Sequence, residues 1–90
     1  MADNVDLLDG IIVFTTVVEA GGFSAAAKRL GRSVSFVSKE VSRLEARLKI
    51  RLLNRTTRSV VPTDTGRAYY ERCRQIVAEA VDAEGDLAAS

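Results

Sequence analysis

Phe23-Ser24-Ala25-Ala26-Ala27-Lys28-Arg29-Leu30-Gly31-Arg32-Ser33-Val34-Ser35-Phe36-Val37-Ser38-Lys39 carries two helical signatures around one glycine, and its reading decides the fold. Ser24 is placed to cap a short helix over 25–30, because its hydroxyl can accept from a free backbone N–H at the helix start. Ala26 and Ala27 carry little side chain, which lets another helix approach closely. Gly31 ends the segment, since glycine takes positive φ at little cost. Ser33 then caps a further helix. Along it Val37, Val41, Leu44 and Leu48 recur on one face, while Ser35, Ser38, Lys39, Ser42 and Arg43 fall away from it. Two helices joined so tightly, with small residues at the crossing, are the ingredients of a helix-turn-helix. A generic helical hairpin is the alternative. Ala27, Gly31 and Val37 stand in the small, turn and core positions of the helix-turn-helix, which favours that motif over the hairpin.

Upstream, a first helix starts near Asn4 or Asp6, and Asp6 with Asp9 resembles a capping box. Leu8, Ile11, Phe14 (or Thr15) and Val18 recur at helical spacing as its inner face, and Gly21-Gly22 stops it. Downstream the pattern changes. Leu52-Leu53-Asn54-Arg55 and Ser59-Val60-Val61-Pro62 read as two short strands around Thr56-Thr57-Arg58. Pro62 cannot donate to a ladder and marks a strand end or an edge. The segment therefore reads as a β-wing with a basic tip, against the alternative of a surface loop with incidental arginines. Thr63 caps a last helix over 64–88, with Asp64 complementing its dipole. Tyr69, Cys73, Ile76, Ala80, Ala83 and Leu87 are spaced four, three, four, three, four, a heptad seam weakened by its two alanines. At about 1.5 Å per residue that helix is nearly 40 Å long, more than so small a body covers. The seam is expected to pair with its copy in a second subunit, although its first part, around Tyr69 and Tyr70, must pack within the chain. Gly85 should weaken the helix near its end.

Charge follows the same organisation. All thirteen Lys and Arg residues lie between Lys28 and Arg74, opposed there only by Glu40, Glu45, Asp64 and Glu71, a local balance of +9. Acids in the flanks return the chain to +1. Such asymmetry points to a polyanionic partner, where the bland reading is a solvated surface.

The 90 residues suit one small domain, and the 47% apolar content is that of a globular chain. A core this limited often gains stability from a partner subunit. No apolar run approaches bilayer length and no leader is recognisable, so the chain is expected in the cytoplasm. The single cysteine, Cys73, excludes an internal disulfide and fits a reducing compartment. On an apolar seam it reads as a packing residue rather than a redox sensor. Absence of histidine excludes a histidine-based triad and removes the commonest zinc ligand. No spacing assembles a nucleophile, a base and an oxyanion site, so an enzyme is not expected; no cofactor or metal is implied.

The runs from Phe23 to Leu30, Ser33 to Lys39 and Leu44-Glu45-Ala46-Arg47-Leu48 resemble the N-terminal domain of LysR-type transcriptional regulators. Arg51-Leu52-Leu53-Asn54-Arg55-Thr56-Thr57-Arg58, then Pro62-Thr63 and Gly66, continue the likeness, which spans residues 8–87. The resemblance implies a mainly α fold: a winged helix-turn-helix over 1–63, of three helices and a two-stranded wing, then a linker and dimerisation helix over 64–90. A larger effector-binding domain normally follows in that family, so the chain reads as an isolated DNA-binding region. A small-molecule co-inducer is expected only for that further domain.

By the same resemblance the helix over 33–48 enters the major groove by its N-terminal end. Ser33, Val34, Ser35 and Phe36 lie there, Ser38 and Lys39 one turn on, and Ser42 and Arg43 beyond. Ser35, Ser38 and Lys39 are the expected groove contacts, and Lys39 or Arg43 reads guanine or grips phosphate. Phe36 has the alternative of packing against the preceding helix. Arg32 and Ser33 suit phosphate. Arg55 matches the family's wing arginine and, with Thr57 and Arg58, would reach the backbone or minor groove over 53–62. Glu45 is read as a structural partner of a nearby arginine. The dimer seam would comprise Tyr69, Cys73, Ile76, Ala80, Ala83 and Leu87, and a dimer implies an operator with an imperfect dyad. Three positions depart from the family pattern: Val34, where glutamine or proline is usual; Phe36, where alanine is frequent; and Lys49, where glycine is frequent. Valine cannot pair bidentately with adenine but can touch a thymine methyl. The competing functions are a winged-helix protein-interaction module and a sequence-neutral nucleoid DNA binder.

Overall fold

Gly21, at φ 82°, turns the chain out of its first helix, and Gly31, at φ 65°, out of its second. The computed structural model describes residues 4–56 and 59–89. Its elements run α1 (Asn4–Ala20), α2 (Phe23–Leu30), α3 (Val34–Leu48), β1 (Leu53–Arg55), β2 (Val60–Pro62) and α4 (Asp64–Ala89). The caps expected of Asn4 or Asp6 lie outside the described side chains.

The turn between α2 and α3 follows its sequence closely. The carbonyls of Lys28 and Ala27 accept from the amides of Gly31 and Arg32 at 3.3 and 3.1 Å, which satisfies the end of α2. Ser33 caps α3, its Oγ accepting from the Phe36 amide at 3.0 Å. The start of α2 differs from expectation. Gly22, not Ser24, is its N-cap, with extended backbone and no side-chain cap. The Gly22 carbonyl already accepts from the Ala26 amide at 3.1 Å, so the helix begins at Phe23 and Ser24 stands in its first turn.

Helices α1, α2 and α3 pack on one another, and α4 lies back across α1. The shared core holds Phe14, Val17, Ala26, Val37, Val41, Leu44, Leu52, Leu53 and Cys73, each almost or wholly sealed from solvent. Buried Ala26 and Ala27 let α2 approach closely, as their size suggested. The inner face of α1 needs correction. Leu8 is 49% exposed and Val18 only half-buried, whereas Val13 and Val17 are buried beside Ile11 and Phe14. Covered by α2 and α3 on one side and α4 on the other, α1 buries an arc wider than one helical stripe. Thr15, also buried, donates its hydroxyl to the Ile11 carbonyl, so no polar atom is stranded there.

The wing is a two-stranded antiparallel hairpin with Leu53 opposite Pro62, Asn54 opposite Val61 and Arg55 opposite Val60. Each strand is a residue shorter than its sequence pattern, and Pro62 closes the ladder at its open end. Thr56 shapes the tip, its amide donating to the Ser59 carbonyl at 3.0 Å. Thr63 joins the wing to α4. Its Oγ1 donates to the Arg51 carbonyl at 2.8 Å and accepts from the Gly66 amide at 2.9 Å, while its own amide donates to the Leu52 carbonyl at 3.0 Å. One residue thus caps α4 and ties it to the strand entering the wing.

Lys49 ends α3 in the left-handed region, φ 57°, with its amide bonded to the Glu45 carbonyl. A side chain there works against the Cβ–carbonyl contact that makes this region costly for L-residues. Lys49→Gly is expected to raise unfolding stability by about 1 kcal/mol in urea titration. A loss of stability would show that the lysine side chain contributes more than its backbone costs.

Candidate nucleic-acid interface

Helix α3 is divided lengthwise. Val37, Val41 and Leu44 face the core, and the opposite side presents Ser35, Lys39, Ser42 and Arg43 to solvent, with Ser38 half-buried at its edge. Because Val37 and Val41 are fully buried, their packing fixes the rotation of the helix and so which side chains face outward. Arg43 is held by Glu40, one turn earlier, at 3.2 Å. Val34 opens the helix and is 46% exposed, the one large apolar side chain that α3 leaves so open among the described residues.

The flanks of α3 carry two arginines, each over a phenylalanine. On the α1 side, the guanidinium carbon of Arg32 lies 3.7 Å from the centroid of Phe36. The hollow at that stack, about 130 Å³, is lined by Asp9, Ile12, Val13 and Leu30. Phe36 is therefore half-buried at the foot of α3 and does pack, but with Arg32 on top of it. On the wing side, Arg55 lies 5.2 Å over Phe23 and donates to Glu45 Oε1 at 3.0 Å. Arg55, expected to reach toward a backbone or minor groove, is thus turned onto the body of the domain. Thr57 and Arg58, expected beside it, lie outside the described residues.

Glu45 is the residue whose role exceeds its sequence reading. The expected arginine partner is present, and its other oxygen, Oε2, accepts from the amides of Leu52 and Leu53 at 2.8 and 3.2 Å. One carboxylate on α3 therefore bonds the backbone entering the wing and the wing's arginine together. Nothing in residue spacing announces a carboxylate bonded to amides seven and eight residues ahead across a turn.

Helix α4 runs 26 residues, about 39 Å at 1.5 Å per residue, and continues through Gly85 to Ala89. The expected seam divides into two parts. Tyr69 packs on Phe14, ring centroids 5.7 Å apart, and Cys73 is wholly buried within the single chain. Cys73 therefore has no surface to offer a partner and leaves the seam, because α1 already covers that stretch of α4. Beyond it Ile76 and Leu87 are 47% and 77% exposed, with Ala80 and Ala83 exposed between them and Val81 beside them at 62%. Burial pushes the Cys73 thiol up from its ordinary value, which keeps it protonated and unreactive. Tyr70 is raised by partial desolvation and by its bond to Glu19 at 2.9 Å, a contact that fastens α4 to α1. Among the described residues no group of His, Cys, Asp or Glu is arranged to hold a metal. No helix among them is long and apolar enough to cross a membrane.

A three-helix core, a capped helix with an exposed polar and basic face, and a hairpin beside it define a winged helix-turn-helix domain. Residues 8–67 match the family described as bacterial regulatory helix-turn-helix protein, lysR family. The chain belongs to the LysR family and forms its helix-turn-helix DNA-binding domain. Among relatives, the HTH-type transcriptional activator AaeR of Escherichia coli K12 is 49% identical over 75 residues, 83% of this chain and 24% of AaeR. The HTH-type transcriptional regulator CrgA of Neisseria meningitidis is 44% identical over 79 residues, 88% of this chain and 26% of CrgA. The chain thus spans about a quarter of the regulators it matches. A crystal structure of a CbnR DNA-binding domain with DNA superposes with a TM-score of 0.81 at 34% identity, covering 91% of this chain and 94% of that one.

Proposed function

We propose that this domain recognises specific double-stranded DNA as the DNA-reading part of a bacterial transcription regulator, with α3 in the major groove. The carrying observation is the divided α3: fully buried Val37 and Val41 hold Ser35, Lys39, Ser42 and Arg43 outward in one row, with Ser38 at its edge. Groove floors present donors and acceptors that hydroxyls and cations pair with, and the rim is phosphate. Arg32 and the capped start of α3 at Ser33 serve the rim. The wing lies along the adjoining backbone or minor groove. That the solved structures similar to this chain include DNA complexes of CbnR and BenM supports the same reading.

The domain functions as a homodimer through the exposed half of α4, from Ile76 to Leu87, in the cytoplasm. Two α3 helices related by a dyad then meet half-sites about 34–36 Å apart, or a multiple of that. With the core already covered by α1, residues 1–63 form the reading head and 64–90 the linker to the rest of the regulator, where a co-inducer would bind.

Salt tests the phosphate grip. If the dimer neutralises about 6–10 phosphates, affinity falls ~10³–10⁵-fold between about 50 and 200 mM salt. Fluorescence anisotropy of a labelled duplex measures this directly, and a nearly flat response contradicts the proposal.

A further inference from the structure

Arginines near α3 are restrained in two chemically different ways. Arg43 and Arg55 each meet a carboxylate, Glu40 at 3.2 Å and Glu45 at 3.0 Å. A carboxylate occupies N–H donors and neutralises charge. Arg32 lies over the ring of Phe36 at 3.7 Å, closer than the 5.2 Å at which Arg55 adds the Phe23 ring to its carboxylate. A ring face holds a guanidinium by its quadrupole and by contact, and leaves the in-plane N–H donors at the edge of the cation open to a second partner. The ring is itself steady: Phe36 is half-buried, packs against the core cluster, and its amide is the one capped by Ser33. Arg32 precedes that cap, so the stack bridges the turn and the first turn of α3.

We infer that Phe36 is a positioning residue that presets the Arg32 guanidinium, donors outward, to grip a nucleic-acid phosphate at the start of α3. The inference rests on the DNA-reading function proposed above and adds to it a division of labour among the basic residues. Arg55, held by Glu45, fastens the wing. Arg32, held by a ring, keeps its charge and donors for the ligand. Free arginine side chains lose several rotamers on gripping phosphate, and a cation already held over a ring loses fewer. Among the described residues the acid that lines the hollow at the stack is Asp9.

The test is a double-substitution cycle read by anisotropy on one labelled duplex, with thermal melts confirming that each variant is folded. Arg32→Ala is expected to lower affinity and to reduce the slope of log affinity against log salt by about 0.9 for each protomer bound, the value of one phosphate contact. Phe36→Leu is expected to lower affinity about threefold while leaving that slope nearly unchanged, because the cation still reaches the phosphate from a less ordered start. Phe36→Tyr, which keeps the ring, should restore wild-type affinity. In the Arg32→Ala background Phe36→Leu should have no further effect. Additive losses in the double variant would overturn the inference by showing that Phe36 acts on DNA independently of Arg32. Tighter binding by Phe36→Leu would also overturn it, because the stack would then have to break on binding. Failure of the wild-type chain to bind any duplex would overturn the DNA reading and this inference together, whereas wild-type binding with an additive cycle overturns this inference alone.

Discussion

Gly66→Ala is expected to cost about 3 kcal/mol of stability, a large fraction of what so small a domain has. The cause is local and steric. A Cβ built at Gly66 collides with the carbonyl of Leu52, its carbon only 2.8 Å away, and that neighbour is backbone that cannot rotate aside. The same carbonyl accepts from the Thr63 amide, so relief of the clash would pull α4 from the strand and break its cap. Gly85→Ala in the same helix is the internal control. Nothing lies within 4 Å of a Cβ there, and the substitution should stabilise by about 0.5–1 kcal/mol through helix propensity, less if the helix end frays. Urea unfolding of the two variants should therefore give opposite signs. A neutral Gly66→Ala would show that the approach of α4 to Leu52 is looser than described.

Glu45→Ala is expected to cost about 3 kcal/mol, because it strips the partner from two backbone amides next to buried side chains as well as from Arg55. Leu52 and Leu53 are 1% and 0% exposed, so water has limited access to replace the carboxylate. Arg55→Ala should cost about 1 kcal/mol, since it removes a partly exposed ion pair and a distant contact with the Phe23 ring. The difference separates the two jobs of Glu45. Equal costs for Glu45→Ala and Arg55→Ala would mean that the ion pair, not the amides, is what the carboxylate contributes. Beyond stability, Glu45→Ala should loosen the wing relative to α3, detectable as faster amide exchange at Leu52 and Leu53.

The parts of this fold legible in the sequence are those fixed within one helical turn. Ser33 and Thr63 cap helices through partners three residues ahead, and Gly31 takes the positive φ that its place after Leu30 requires. The core face of α3 follows from periodicity alone. What was illegible depends on elements distant in sequence. The full arc buried by α1 is set by α4, over fifty residues later, and the loss of Cys73 from the seam is set in turn by α1. Gly66 stood in the motif, but nothing in its neighbours revealed the Leu52 carbonyl against it. For the interface, the polar row on α3 was readable because it is the complement of the core row. The inward turn of Arg55 and the stacking of Arg32 were not, because both depend on rings contributed at positions the spacing treats as ordinary packing. Val34 and Phe36, the two departures at the head of α3, prove to be its exposed apolar residue and the ring beneath Arg32.

The central claim is that the outward row of α3 reads DNA sequence. The direct measurement is anisotropy titration of this chain onto a duplex selected by it from a random pool, beside a scrambled duplex of equal length, with the wild type and a Ser38→Ala, Lys39→Ala double variant. The wild type should prefer the selected duplex by about tenfold or more, and the double variant should bind both alike with its fold intact. Equal binding of both duplexes by the wild type, or an undiminished preference in the variant, would contradict sequence reading by this face.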